Sequence, residues 1–523
     1  MSSPSDLLSA AIQHHQSGRL LEAERLYEAV LLQQPDQANV LYLLGLANHQ
    51  RGNLDAAVMW YERSIAVKPD YADAHNNLGV LLVQQGDLQQ ATVHYRAALQ
   101  TNPNNAHAHA NLGVILQQLN QFEAAIVHHQ TAIQLDPNLA VAHTNLGHAL
   151  KEIGQLDQAI SHYQIARQLM PTNPDAYQDL GDALQEQGQF QEALNIYHRA
   201  LAIAPNHVEL NGSRIRSLLI SGNLRQGFAE YDRWRLAISM QQRSFTQPVW
   251  EGFSLDGQPI LLYAEPGSGF GDAIQFIRYA PLVANLGGRI MVECPAALVR
   301  LFQTIPSVEQ VVAAGDPLPS FNVQASFLSL PRIFRTTLET IPNQVPYLYP
   351  NFALEHICPP LASASAIQLE QNRLKVGIVW GGDVNHYTDR DRSCPFQNFQ
   401  QILNCPEVQF YSLQKGAHCS ELADSRVVDL SDCLHDFADT ATIINHLDLV
   451  ITVDTAVAHL AGALGKPVWI LLSFAADWRW LMARLDSPWY PTARLFRQTQ
   501  RRDWAGVCQQ VAIALNQTIA SMQ

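Results

Sequence analysis

The sequence predicts two architectures in series: an all-α helical-repeat superhelix, then two Rossmann-like α/β lobes. Three observations predict it. Glycine and proline recur at a fixed spacing through the first half of the chain. That period stops after Trp234. From Pro259 onward, short apolar runs alternate with glycine turns and helical stretches, and the same grammar restarts near residue 373.

The repeats are read from four positions. Gly45, Gly79, Gly113, Gly147 and Gly181 each follow a leucine at steps of 34. Pro35, Pro69, Pro103, Pro137, Pro171 and Pro205 keep the same step. Between them lie Ala57, Ala91, Ala125, Ala159 and Ala193, each followed four residues later by Tyr61, Tyr95, His129, Tyr163 or Tyr197. This Leu-Gly, Ala-x-x-x-aromatic, Pro pattern is that of the tetratricopeptide repeat. The glycine admits close approach of the first helix of a repeat to the second. The alanine and the aromatic share one face of the second helix and fill the seam to the next repeat. The proline begins the turn after that helix, where a missing N–H costs little. QRGNL, QQGDL, EIGQL and EQGQF end first helices on glycine. Residues 4–37 keep Ala23, Tyr27 and Pro35 but have Ala11 for the glycine, and residues 208–241 keep Tyr231 but have Gly227 for the alanine. Seven repeats are expected over 1–241, the outer two degenerate because one face of each caps rather than stacks.

Asn77, Asn111 and Asn145 precede Leu-Gly in three consecutive repeats, and Asp179 takes the place in the fourth. Stacked repeats set these side chains in a ladder, and an Asn amide both donates to and accepts from a peptide backbone. The stretches AHNNLG, AHANLG and AHTNLG resemble repeats of the eukaryotic O-GlcNAc transferases. The resemblance implies a protein or peptide acceptor held along the concave face. Hydrogen bonding between repeats is the plainer alternative. His75, His109 and His143 form a metal-like stripe that is read as repeat packing.

A connector, RSFTQPVWEGFSLDGQP, follows the repeats. PILLYA (259–264) reads as a buried strand, EPGSGFGD (265–272) as a glycine loop, AIQFIRYAPLVANLG as a helix and RIMVEC (289–294) as a second strand. VVAA and VQASFLSL are weaker strands. A second unit runs LKVGIVW (374–380), VQFYSL (408–413), VVDL (427–430), the helix DFADTATIINHL, the strand DLVITV (448–453), the helix DTAVAHLAGALG and the strand KPVWILL (466–472). The expected domains are 1–241 for the repeats, 242–355 for the first lobe, 356–372 for a linker and 373–523 for the second lobe.

Gly267, Gly269 and Gly271 after a strand, with Glu293 ending the next, look like a dinucleotide fingerprint, but the spacing is G-x-G-x-G rather than G-x-G-x-x-G. The junction Val453-Asp454-Thr455 is the stronger signal. A strand ends there and a helix begins, so first-turn N–H groups and the helix dipole favour an anion. His459 lies one turn further on the face of Thr455. An ordinary capped helix with a buried histidine is the alternative.

VDTAVAHLAGALGKPVWILL resembles the V-D-T-G-x-x-H-L-A-A-A-x-x-x-P signature of the heptosyltransferases, glycosyltransferase family 9. Gly271-Asp272, in a segment continuing to Pro281, resembles that family's G-D-x-x-x-x-x-P element. WGGDVNHYTDRDRSCPF resembles a segment of bacterial proteins that fuse tetratricopeptide repeats to this domain. The resemblance covers roughly residues 245–520. It implies a GT-B fold and a metal-independent, inverting sugar transfer. It implies Asp272 as the base for the acceptor hydroxyl, and the donor diphosphate against Thr455, the Ala456 N–H and His459, with Asp454 near the sugar. Arg392 and Lys415 are candidate cations for the phosphates. Ala456 stands where the family has glycine, so a backbone contact survives there only with negative φ. Trp478, Trp480 and Trp489 offer an acceptor wall or, more simply, packing.

Composition bounds the alternatives. The chain has 523 residues and net charge −14, which argues against binding nucleic acid by phosphate neutralisation. Its seven cysteines all follow residue 290 without a CxxC pair, so neither a disulfide framework nor a zinc site is expected. The opening MSSPSDLLSAAIQHHQ lacks the signature of a secretory signal, and no run of about 18 apolar residues suggests a membrane span. A cytoplasmic glycosyltransferase is expected, with a nucleotide sugar as substrate, no bound cofactor, and a protein or peptide acceptor. The alternative is an inactive repeat scaffold with a degenerate GT-B domain. A sugar-nucleotide epimerase is a third reading.

Overall fold

The computed structural model describes residues 3–238, 245–350, 352–359, 361–362, 373–386, 389–422, 424, 426–482 and 484–522. The N-terminal tail, part of the connector and most of the expected linker lie outside these. The chain forms two compact units, Met1–Ala183 and Leu184–Gln523. Among the described residues, fourteen helices, from Pro4–Gln16 to Leu224–Ile238, precede the first strand.

The helices pair through one backbone joint each. Gly18, Gly52, Gly86, Asn120, Gly154, Gly188 and Gly222 all have positive φ and follow one another at steps of 34. Asn120 fills the place of glycine because asparagine tolerates the left-handed region best among residues with a Cβ. The repeat glycines have a different task. A Cβ on Gly45, Gly79 or Gly147 would come within 2.7 Å of the ring of Tyr61, Tyr95 or Tyr163. On Gly113 it would lie 2.5 Å from His129. The aromatic therefore seats on the glycine of its own repeat, where the sequence pattern placed it at the seam to the next.

The histidine stripe is repeat packing. Nδ1 of His75, His109 and His143 lies 2.9, 2.9 and 3.0 Å from Nδ1 of His94, His128 and His162. Their Nε2 atoms bond the carbonyls of Pro69, Pro103 and Pro137. The asparagines link neighbouring repeats. Asn77 Nδ2 donates to Tyr42 Oη at 3.2 Å, Asn76 Nδ2 to Asn77 Oδ1 at 3.1 Å, and Asn111 Nδ2 to Asn76 Oδ1 at 3.2 Å. Asn145 accepts from Gln117 at its backbone carbonyl, and Asp179 pairs with His148.

In the second unit the last repeat helices side with the α/β part. Phe228 meets Phe276, Trp478 and Trp489 edge-on. The first sheet contains β1 (Pro259–Tyr263), β2 (Arg289–Cys294), β3 (Val308–Ala313) and β4 (Val323–Ser326) in the order β3-β2-β1-β4, every pair parallel. The second contains β5 (Leu374–Val379), β6 (Val408–Ser412), β7 (Val427–Asp429), β8 (Leu449–Val453), β9 (Val468–Leu472) and β10 (Ala493–Arg497). Its order is β10-β9-β8-β5-β6-β7, also parallel throughout. In both sheets the chain lays strands outward on one side, then returns to the middle and continues on the other. The strand order reverses between β1 and β4 and between β5 and β8. Crevices open beyond the carboxyl ends of strands at such reversals.

Three elements differ from the sequence reading. The helix after β1 starts at Phe270, so Gly271 and Asp272 lie in its first turn rather than in the loop. It ends at Phe276 and gives way to a 3-10 turn, Ile277–Tyr279, and a new helix, Ala280–Asn285. Pro281 has no N–H to continue the ladder. β10 differs because Arg494 and Arg497 interrupt the apolar pattern of ARLFR, and the final helix Trp504–Met522 is a further element beyond the strands read from the sequence.

Candidate active site

The site forms where the reversal points of the two sheets face each other. Beyond β1, Gly267 turns with φ +82°. Gly269 is extended and precedes the helix Phe270–Phe276, and its N–H donates to Asp272 Oδ2 at 3.1 Å. Asp272 thus caps its own helix with one oxygen. Beyond β8, Thr455 is extended (φ −138°, ψ 173°) and the helix Ala456–Ala463 begins. Ala456 is not among the residues of positive φ, so replacement of the family glycine keeps its N–H available to a ligand. The N–H groups of Ala456 and Val457 have no intrahelical acceptor.

The two helices pack on one another at Gly271, whose Cβ, were there one, would lie 2.8 Å from His459 Cδ2. His459 is buried, stacked on Trp480 (centroids 5.3 Å, 23° between planes), with Nδ1 2.8 Å from Tyr490 Oη. Burial, then Arg479 and Arg278, hold its pKa well below the usual histidine value. Next to this pair, Tyr347 Oη donates to Ile274 O at 3.0 Å and accepts from Arg278 Nη2 at 3.0 Å. The bond between His459 and Tyr490 serves either tautomer of the ring. With Tyr490 donating to Nδ1, Nε2–H is a donor suited to a phosphate oxygen; with Nδ1–H donating, Nε2 is an acceptor suited to a hydroxyl.

Thr455 Oγ1 lies 3.1 Å from Thr452 Oγ1, which donates to Val453 O at 2.8 Å. Asp454 is partly enclosed. Burial, then the negative charge of Asp477, push its pKa up to about 6 against the opposing pull of Arg479 and Arg392. Arg392 ends the short helix Asp389–Arg392 and lies across Gly382, whose Cβ would meet Nη2 at 2.5 Å. Its Nε is 3.6 Å from Asp389 Oδ1, an ion pair longer than a hydrogen bond. Lys415 is exposed and donates to the Ser431 carbonyl at 2.8 Å. Trp480 and Trp489 are fully buried packing residues, and Trp478 packs between Phe228 and Arg479.

Sequence reasoning missed Arg479, the cation at the centre. It ion-pairs with Asp272 Oδ1, donates through Nη1 to Asp477 Oδ1 at 2.7 Å and through Nε to Gln275 Oε1 at 2.7 Å, and lies 4.5 Å over the Trp478 ring. Burial acts to lower its pKa, and Asp477 and Asp272 outweigh that and raise it. The only signal in the sequence was its place in DWRW after an apolar strand. Among the described residues no group of three or more His, Cys, Asp or Glu side chains is placed to hold a metal ion. No helix among the described residues is long and apolar enough to cross a membrane.

Comparison with known proteins agrees with the two-part reading. Residues 47–86, 82–138, 138–206 and 178–239 match tetratricopeptide-repeat families. Residues 434–473 match "Glycosyltransferase family 9 (heptosyltransferase)". That segment carries β8, Asp454, Thr455, Ala456 and His459. Protein FlbA of Caulobacter vibrioides is 28% identical over 339 residues, which span 59% of this chain and 55% of that protein. Among solved structures, the APC/C hetero-tetramer Cut9-Hcn1 is 19% identical over 41% of this chain and 43% of that one, with TM-score 0.38. The type IV pilus biogenesis factor PilW is 18% identical over 39% of this chain and 94% of that one, with TM-score 0.36.

Proposed function

We propose that the α/β half is a glycosyltransferase that moves a sugar from a nucleotide-sugar donor to a hydroxyl of a protein or peptide held by the repeats. One observation carries the reading. Asp272, from one sheet, stands opposite Asp454, Thr455, Ala456 and His459 from the other, with Arg479 between them. The first turn at Ala456 supplies N–H donors for the diphosphate, and Arg392 and Arg479 supply cations. These groups stabilise the leaving diphosphate in place of a metal. The acceptor oxygen attacks the anomeric carbon opposite the leaving group. The bond to the diphosphate breaks, the nucleoside diphosphate leaves with the electron pair, and the acceptor proton passes to Asp272. A single displacement of this kind inverts the anomeric centre. His459, held at Nδ1 by Tyr490, offers its other ring nitrogen to the donor diphosphate.

Arg479 is shared in this scheme. It pairs with Asp272, and a diphosphate at the first turn of the Ala456 helix competes for it and frees the carboxylate. The repeats hold the acceptor through the asparagine ladder of Asn77, Asn111 and Asn145.

A second reading, an inactive scaffold, is favoured by one observation: both oxygens of Asp272 are already engaged, by Gly269 N–H and Arg479. A thermal-shift screen with ADP-, GDP- and UDP-sugars separates the two. A ligand at 100 times its dissociation constant stabilises by ~2.7 kcal/mol. One nucleotide stabilising the wild type, but not Thr455→Val, supports transfer. No shift at millimolar concentration with any of them supports the scaffold.

A further inference from the structure

The helix Leu224–Ile238 closes the last repeat by sequence, yet it touches a neighbour of each member of the Asp272–Arg479 pair. Phe228 packs edge-on against Trp478, with ring centroids 5.4 Å apart, and Trp478 carries the Arg479 guanidinium 4.5 Å above its ring. Two turns along, buried Arg235 ion-pairs with Glu265, the residue that opens the glycine loop leading to Asp272. Arg235 is itself fixed. It pairs with Asp232 and donates to Ser329 Oγ at 2.9 Å. Ser329 Oγ donates to Asp232 Oδ1 at 2.7 Å, and Asp232 Oδ2 accepts from Arg332 Nε at 2.5 Å. Arg332 in turn holds Glu251 at 2.6 Å. Between Phe228 and Arg235, Tyr231 lies in the electrostatic field of both Asp272 and Arg479.

The two contacts act on opposite members of one pair. Arg235 holds the loop that aims Asp272, and Phe228 holds the indole on which Arg479 rests. A guanidinium bound to two carboxylates in a buried place tolerates neither loss of charge nor change of shape. An ordinary repeat helix needs no such network to close an array.

We propose that Phe228 and Arg235 are positioning residues of the transfer site, making the last repeat helix a part of that site rather than of the acceptor-holding array. This rests on the transfer reading above, and it adds a structural claim that stands without it: the helix sets the glycine loop against Arg479.

The test uses the full chain with Arg235→Gln, Arg235→Lys and Phe228→Leu. Amide hydrogen exchange is measured over 265–272 and 477–481. Hydrolysis or transfer is measured with whichever of ADP-, GDP- or UDP-glucose shifts the melting temperature most. Arg235→Gln is expected to speed exchange in 265–272 about tenfold with the rest of the chain unchanged. Phe228→Leu does the same over 477–481. kcat falls about tenfold for both while the donor KM stays within about twofold. Arg235→Lys recovers part of each loss. Unchanged exchange in both segments, or a rise spread evenly over the chain, overturns the proposal, as does a change in KM alone. If the wild type neither binds nor turns over any of the three donors, the transfer reading falls. The exchange pattern then still decides whether this helix positions the pair.

Discussion

Gly271 and His459 touch across the two lobes, and the contact leaves no room for a methyl group. A Cβ on Gly271 would lie 2.8 Å from His459 Cδ2, and His459 is itself backed by Trp480. Gly271→Ala therefore pushes either the ring off its stack or the two helices apart. It is expected to cost about 1–3 kcal/mol in urea unfolding and to weaken nucleotide binding. Gly269→Ala is the control. Its Cβ would meet nothing nearer than Asp272 Oδ2 at 3.7 Å, and its φ of −72° suits alanine. Equal losses in the two variants would show that the contact at His459 is not what makes Gly271 necessary.

Asp272 and Arg479 are separable by what each does to binding. Asp272→Asn keeps the cap from Gly269 and leaves Arg479 free for phosphate. It is expected to retain the donor-induced thermal shift and to lose roughly 10²–10⁴ in transfer rate. Arg479→Gln is expected to lose both. A thermal-shift series with transfer assays on the two variants checks this, and loss of donor binding in Asp272→Asn contradicts the assignment.

Asp454 gives the protein a pH dependence of definite sign. Its carboxyl pKa is about 6 in the fold, above the usual aspartate value. The folded state thus holds this proton more tightly than the unfolded state. Stability from this group is greatest at low pH, falls as pH rises from about 4 to about 6, and stays low above that. Asp454→Asn removes the fall. The variant is expected to be more stable than wild type by on the order of 2 kcal/mol at pH 7.5, with no difference near pH 4. Melting curves at several pH values measure it. A variant less stable than wild type at pH 7.5 contradicts the sign.

The tautomer of His459 is directly observable. For His459 to contact a diphosphate, nitrogen NMR of the labelled protein is expected to show Nε2 protonated and Nδ1 accepting from Tyr490. Tyr490→Phe removes the partner of a buried ring nitrogen, at a cost of about 1–3 kcal/mol. A bare Nε2 in the wild type would make His459 an acceptor and remove it from the phosphate contact.

Much of this was legible because it is local. The repeats announce themselves by steps of 34, and Asp454, Thr455 and His459 lie within six residues at one strand end. Asp272 was found from its neighbours Gly271 and Pro281. The start of its helix was not, because the glycines read as a loop although only Gly267 of the three has positive φ. Arg479, Arg278, Tyr347 and Tyr490 were out of reach for another reason. Each acts through partners far along the chain, Arg479 on Asp272 and Arg278 on the Trp489 carbonyl, and no periodicity links such positions. The setting of His459 is non-local in the same way: its ring is stacked on Trp480 and bonded to Tyr490.

The seven left-handed joints of the repeats have a consequence for how such a chain changes length. Each confines the unusual backbone to one residue, and a glycine seats an aromatic ring in four successive modules, Tyr61, Tyr95, His129 and Tyr163. Recombination at equivalent joints exchanges whole modules at a shared backbone geometry, so the array lengthens or shortens in quanta of one repeat. The module ending in Leu224–Ile238 is the exception. Arg235 and Phe228 bind it to the lobes, so it is inherited with them, and variation in number falls on the modules before it.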